Sequence, residues 1–252
     1  MKAFFVDLIF FTLFFLSSCE KDKLDSPGNI PGMGNTPGEL EVKEPFTLPQ
    51  GVSYVDIIHE IWQLDPTLPT FGGGYGMKLK LTLCNTSDVP KTVFFPQGLI
   101  WKCSSSDNHN GILLQTSWVN LEANSTRDLN IVLHCINSGK PSALQNISWN
   151  TIGVSGSPTI SNLLEIIGWR KINYEMIYGE IDGLTPSPYS GPPYKDVIKR
   201  LQNIVWNLTE KGIEISDEDR SFIESIPLLS PSEIPPCIDS ECQFPEFVVP
   251  QK

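Results

Sequence analysis

The chain has 252 residues, of which 40% are hydrophobic and 10% aromatic, enough apolar material for one domain or two with a sizeable core. Lys and Arg number 18 against 29 Asp and Glu, a net charge of −11 that argues against nucleic acid as a partner, and no basic cluster reverses it locally. The 21 prolines and 19 glycines argue equally against a large helical bundle.

At the amino end, Lys2 precedes an apolar run from Phe4 to Leu16 that is broken only by Asp7 and Thr12. A membrane span needs roughly 20 apolar residues, so residues 1–18 read as an export signal instead. The run ends in Leu16-Ser17-Ser18-Cys19, which resembles a bacterial lipobox. The resemblance implies cleavage before Cys19 and acylation of its thiol and new amino end with chains such as palmitate. Two or more chains anchor stably. The next residues, Glu20-Lys21-Asp22-Lys23, resemble the short Lys-and-acid tags of Gram-negative outer-membrane lipoproteins. That likeness implies a protein held in the outer membrane by its lipid and exposed on the cell surface.

Residues 19–50 read as a lipidated flexible tether, because Pro27, Pro31, Pro37, Pro45 and Pro49 alternate with Gly28, Gly32, Gly34 and Gly38. Residues 51–136 read as an antiparallel β-sandwich-like domain. Met77, Leu79, Leu81 and Leu83 alternate with polar or small residues, and Leu129, Ile131 and Leu133 do so again. Shorter apolar runs lie at Val93–Phe95, Leu99–Trp101, Ile112–Leu114 and Trp118–Leu121. Tyr54 to Trp62 fits either a strand or a helical face. Residues 137–230 read as a smaller, mainly helical region packed on the sandwich. Ile160, Leu163, Leu164 and Ile167 share one face and Gly168 stops it. Tyr194 to Lys211 carries a stripe of Val197, Ile198, Leu201, Ile204, Val205 and Leu208, ended by Gly212. Ser216 with Asp219 three residues on resembles a capping box. Residues 231–252 are a Pro-rich tail. The fold class expected is α+β.

No catalytic constellation, metal-ligand spacing or cofactor motif stands out. His59, His109 and His134 are scattered, and the Gly72-Gly73-Gly74-Tyr75-Gly76 run precedes a strand, so it reads as a flexible connection and not a phosphate loop. The tryptophans at 62, 101, 118, 149, 169 and 206 suit either a core or a sugar-stacking platform. An exported chain permits disulfides, and Cys84 with Cys103, and Cys237 with Cys242, are plausible partners. Cys135 is then left over.

Cys135 stands in Leu133-His134-Cys135-Ile136, at the end of the β region, and Gln202 in Leu201-Gln202-Asn203-Ile204-Val205-Trp206, on the best helix. Over about residues 52–212 this order resembles the thioester domains of bacterial surface adhesins, with His134 where that family has an aromatic or aliphatic residue. The resemblance implies that the Cys135 thiol and Gln202 carboxamide condense into an internal thioester that amines on a host surface open. Read from the residues alone, the same pair is a core thiol and a hydrogen-bonded helix glutamine. The function expected is a non-enzymatic surface binding or adhesion module with a protein or glycan ligand. The alternative is an accessory glycan-binding lipoprotein of a nutrient-uptake system.

Overall fold

The computed structural model describes residues 25–59, 64–142, 147–178, 189–233 and 238. Cys19, Trp62, Cys237 and Cys242 lie outside the described residues, as do the lipobox and the tail apart from Ile238 and Pro231–Glu233, a single 3-10 turn whose Glu233 pairs with Lys171. The fold is α+β with a β-sandwich-like body.

Among the described residues, ten strands form: β1 (Val42–Pro45), β2 (Val52–His59), β3 (Thr70–Phe71), β4 (Met77–Asn85), β5 (Lys91–Phe95), β6 (Leu99–Cys103), β7 (Gly111–Ile112), β8 (Ser117–Leu121), β9 (Ser125–Cys135) and β10 (Trp149–Ser155). The main sheet runs β1-β10-β6-β7-β9-β4-β2, with β3 added parallel to β9, and β5 pairs with β8 as a separate ribbon. Tyr54 to His59 resolves as strand, because β2 pairs antiparallel with β4 from Val52 opposite Asn85 to His59 opposite Leu79.

Alternation divides the sheet into two apolar faces. Met77, Leu79, Leu81 and Leu83 of β4 are fully buried with Leu129 and Ile131 of β9, and they meet Val93, Phe95, Val119 and Leu121 of the ribbon. Burying each such side chain contributes about 1.5–3 kcal/mol. Strand β6 shows the division in three residues, since Leu99 and Trp101 enter this core while Ile100 enters the other.

The second core lies under the helices α1 (Pro158–Ile167), α3 (Tyr194–Trp206) and α4 (Asp217–Glu224), with the short α2 (Tyr174–Ile177) between them. Ser157 caps α1 by accepting from the Ile160 N–H, and Ser216 caps α4 by accepting from the Asp219 N–H. Helix α3 continues as a π-helical turn over Asn207–Lys211 and stops at Gly212, whose φ of 68° a side chain would strain.

Three expectations are corrected. Residues 25–50 are not a tether: Ile30 and Met33 are 2% and 1% exposed in the helical core, and β1 pairs with β10. Isolated apolar residues in a Pro- and Gly-rich run thus supply packing that periodicity does not register. The sheet also does not end at residue 136, because β10 inserts between β1 and β6. Cys84 and Cys103 are free thiols and form no disulfide: they sit on β4 and β6, which are not neighbours in the sheet.

Candidate functional site

Strand β4 begins at Met77, opposite Leu133 of β9. Two residues further on, Cys135 has Gly111 of β7 on one side and no β4 residue on the other. The Gln202 side chain fills that place. Cys135 N–H donates to Gln202 Oε1 at 2.9 Å, and Gln202 Nε2 donates to the Cys135 carbonyl at 2.7 Å. The carboxamide therefore extends the sheet as one more peptide group would. Helix α3 aims it there because Val197, Leu201, Ile204 and Val205 fix the apolar face of the helix against the core, and Gln202 itself is fully buried.

The glycine run is a fitted wall and not a loose connection. Gly72 N–H donates to Glu175 Oε2 at 2.8 Å, and Gly74 N–H donates to the Val132 carbonyl at 3.1 Å. A Cβ on Gly73 or Gly74 would strike the backbone of Ile172 or Leu133, so only glycine allows this approach. Gly76 is exposed on its outer side. On its inner side a Cβ would lie 3.0 Å from Cys135 Cβ and 3.3 Å from Gln202 Oε1. Gly76 is thus the thinnest part of the wall between the Cys135–Gln202 pair and solvent.

On the thiol side, His109 Nδ1 lies 3.1 Å from Cys135 Sγ. The loop that carries it is pinned by Asn108 Nδ2, which donates to the carbonyls of Pro141 and Ser142, and by Asn110 N–H, which donates to Asn137 Oδ1. His59 stands next to it, with ring centroids 6.5 Å apart. Burial, reinforced by the Glu210 carboxylate, pushes the Cys135 thiol up to about 11, against smaller opposing contributions from the Asn137 backbone and Trp206. Burial first, and then the neighbouring His59, pulls His109 below its ordinary value. His134 faces the Gln202 side, fully buried, and burial holds it down to about 3. At neutral pH the thiol is protonated and the two imidazoles are uncharged. Glu175, fully buried behind the glycine wall, is pushed up to about 7 by burial. Ser117 Oγ and Asn173 Nδ2 donate to its Oε1.

The structure therefore brings Cys135 and Gln202 together and leaves Cys84 and Cys103 apart. Trp101, Trp118, Trp149 and Trp169 are buried and present no face for a sugar, while Trp206 is half-buried beside the site. Among the described residues, no group of three or more His, Cys, Asp or Glu is placed to hold a metal ion. No helix of the described residues is long and apolar enough to cross a membrane. Sequence reasoning missed His109 and Gly76. His109 lies in a polar loop with no local pattern to mark it, and the glycine run signals a close approach without saying to what.

Comparison with protein-family models, with curated proteins and with solved structures finds no match. The arrangement itself defines what the site can do. It holds a primary carboxamide on the main chain of a cysteine, both buried, with the carboxamide oxygen already on a fixed N–H donor.

Proposed function

We propose that this chain is a lipid-anchored bacterial surface adhesion module that captures amine-bearing partners through an internal thioester between Cys135 and Gln202. The observation that carries the reading is the two-point pairing of the Gln202 carboxamide with the Cys135 main chain, at 2.9 and 2.7 Å. Two residues 67 positions apart are held in one orientation, and such positioning is what a slow acyl transfer most needs.

In bond formation, Cys135 Sγ attacks Gln202 Cδ, the Cδ–Nε2 bond breaks, and the thiol proton leaves with the amide nitrogen as ammonia. The Cys135 N–H, already on Oε1, stabilises the negative charge that this oxygen gains in the tetrahedral intermediate. In capture, an amine adds to Cδ, the Cδ–Sγ bond breaks, and an amide and a free thiol result. The event is used once per molecule, so the protein is a capture device and not an enzyme. Gly76, exposed outside and without a side chain, is the natural entry for the amine.

Intact mass of the mature protein tests the reading. The wild type is expected to weigh one ammonia less than its sequence requires and to gain one methylamine on treatment. Cys135→Ala and Gln202→Ala are each expected to weigh their full sequence mass and to take up no methylamine. A wild-type protein of full mass overturns the proposal. The anchor is tested separately: Cys19→Ser is expected to lose lipid labelling, and labelling that persists removes the lipobox assignment.

A further inference from the structure

Among the groups around the Cys135–Gln202 pair, His109 is a base in contact with the reacting sulfur that has no part in the steps above. His109 Nδ1 lies 3.1 Å from Cys135 Sγ, and both residues are buried, at 8% and 2% exposed. The contact is built from three directions. Asn108 fixes the loop to Pro141 and Ser142, Asn110 fixes it to Asn137, and His59 of β2 backs the ring. A loop residue held this firmly against a sulfur is positioned for that atom.

We propose that His109 is the proton carrier of the thioester: its Nδ1 takes the Cys135 thiol proton as the sulfur bonds to Gln202, and returns a proton to the sulfur when an amine opens the bond. The inference rests on the thioester reading and adds a catalytic residue to it. In formation, the proton moves from Cys135 Sγ to His109 Nδ1, the Sγ–Cδ bond forms, the proton passes on to Gln202 Nε2, and the Cδ–Nε2 bond breaks to release ammonia. In opening, the amine nitrogen bonds to Cδ, the Cδ–Sγ bond breaks, and one amine proton travels through Nδ1 to Sγ. His109 ends each step as it began.

The chemistry of the pocket calls for such a carrier. A thiol at about 11 is almost wholly protonated at neutral pH and therefore a poor nucleophile, and the same burial makes a bare thiolate a poor leaving group. A neutral imidazole on the sulfur avoids the thiolate in both directions. The thiol hydrogen then points at Nδ1 and the ring proton sits on Nε2, an atom with no partner among the described residues. The titratable groups facing His109 are Cys135 from β9 and His59 from β2, and Glu210 of the π-helical turn acts on Cys135. None of them substitutes at Nδ1.

The test uses hydroxylamine, a weakly basic amine, and follows thioester opening by intact mass in wild type, His109→Gln and His109→Ala, from about pH 5 to about pH 8. The wild-type rate, per free amine, is expected to fall on acidification with a midpoint below 6.5, the ordinary histidine value. His109→Gln keeps a polar group on the sulfur but carries no proton; its rate is expected to drop by about 10²-fold and to lose the midpoint. A folded variant that never shows the ammonia deficit supports the same role in bond formation. If neither variant folds, the wild-type profile decides, and a flat one overturns the proposal. A wild type without the deficit overturns the thioester itself. A wild type with the deficit, matched in rate and profile by His109→Gln, overturns only the role of His109.

Discussion

Glu175 offers a sharp check on the wall behind the site. Its carboxyl is fully buried, accepts from Gly72 N–H, Ser117 Oγ and Asn173 Nδ2, and is pushed from 4.5 to about 7, chiefly by burial. Between those two values the folded protein keeps a proton that the unfolded chain has released. Stability from this group is therefore lost as pH rises from 4.5 through about 7, and the full penalty stands above that window. At about 1.4 kcal/mol per pH unit, the window corresponds to about 3 kcal/mol. His134 works in the opposite sense: held neutral down to about 3, it contributes stability above 6.5 that is lost as pH falls. The wild-type curve mixes the two, so the difference between Glu175→Gln and wild type isolates the carboxyl. Gln resembles the protonated acid in shape and charge. Relative to wild type, the variant is expected to gain about 3 kcal/mol between pH about 5 and pH about 8, or about 6–12 °C in Tm for a chain of this size. Urea and thermal unfolding followed by tryptophan fluorescence measure it. A difference between variant and wild type that stays constant over that range refutes the argument.

Three further outcomes are expected. Met33→Ala should destabilise the protein by about 2–5 kcal/mol in urea unfolding, because Met33 is a core residue and not part of a tether. Ser216→Ala should lower stability by about 1 kcal/mol through loss of the α4 cap, and an unchanged denaturation midpoint would remove the cap's role. Gly76→Val should abolish the ammonia deficit while circular dichroism stays native, since a side chain there wedges between Cys135 and Gln202. Retention of the deficit in that variant would show that the wall is looser than its contacts.

Local pattern made much of the fold legible. The strict alternation of β4, the stripe of α3 and the Ser216–Asp219 cap each follow from interactions within a few residues of sequence, and each stands in the structure. What depends on distant partners was not legible. Ile30 and Met33 sit in a run whose local chemistry reads as turns, and only the helical core across from them gives them a place. Strand β10 breaks its own pattern with a register shift before Gly153, so Trp149 to Ser155 lacks a clean period of two. The site divides in the same way. Cys135 and Gln202 were visible as an unpaired thiol and a glutamine on the edge of an apolar stripe, in an order like that of thioester adhesins. His109 is brought to the sulfur by asparagine contacts that span 27 to 34 residues, and no short window contains them.

The amino-terminal segment has a mechanical consequence. Gly28 N–H donates to the Leu208 carbonyl at 2.7 Å, just past the end of α3, and Gly34 N–H donates to the Ile136 carbonyl at 2.8 Å, just past the end of β9. Asn137 Nδ2 donates to the Gly34 carbonyl at 3.0 Å. One short stretch of chain thus grips both the strand that ends in Cys135 and the helix that carries Gln202. A pull applied from the amino-terminal side is therefore shared between these two elements. Because β9 belongs to the main sheet, the load on it passes into that sheet, while the load on α3 enters through the π-helical turn that follows it.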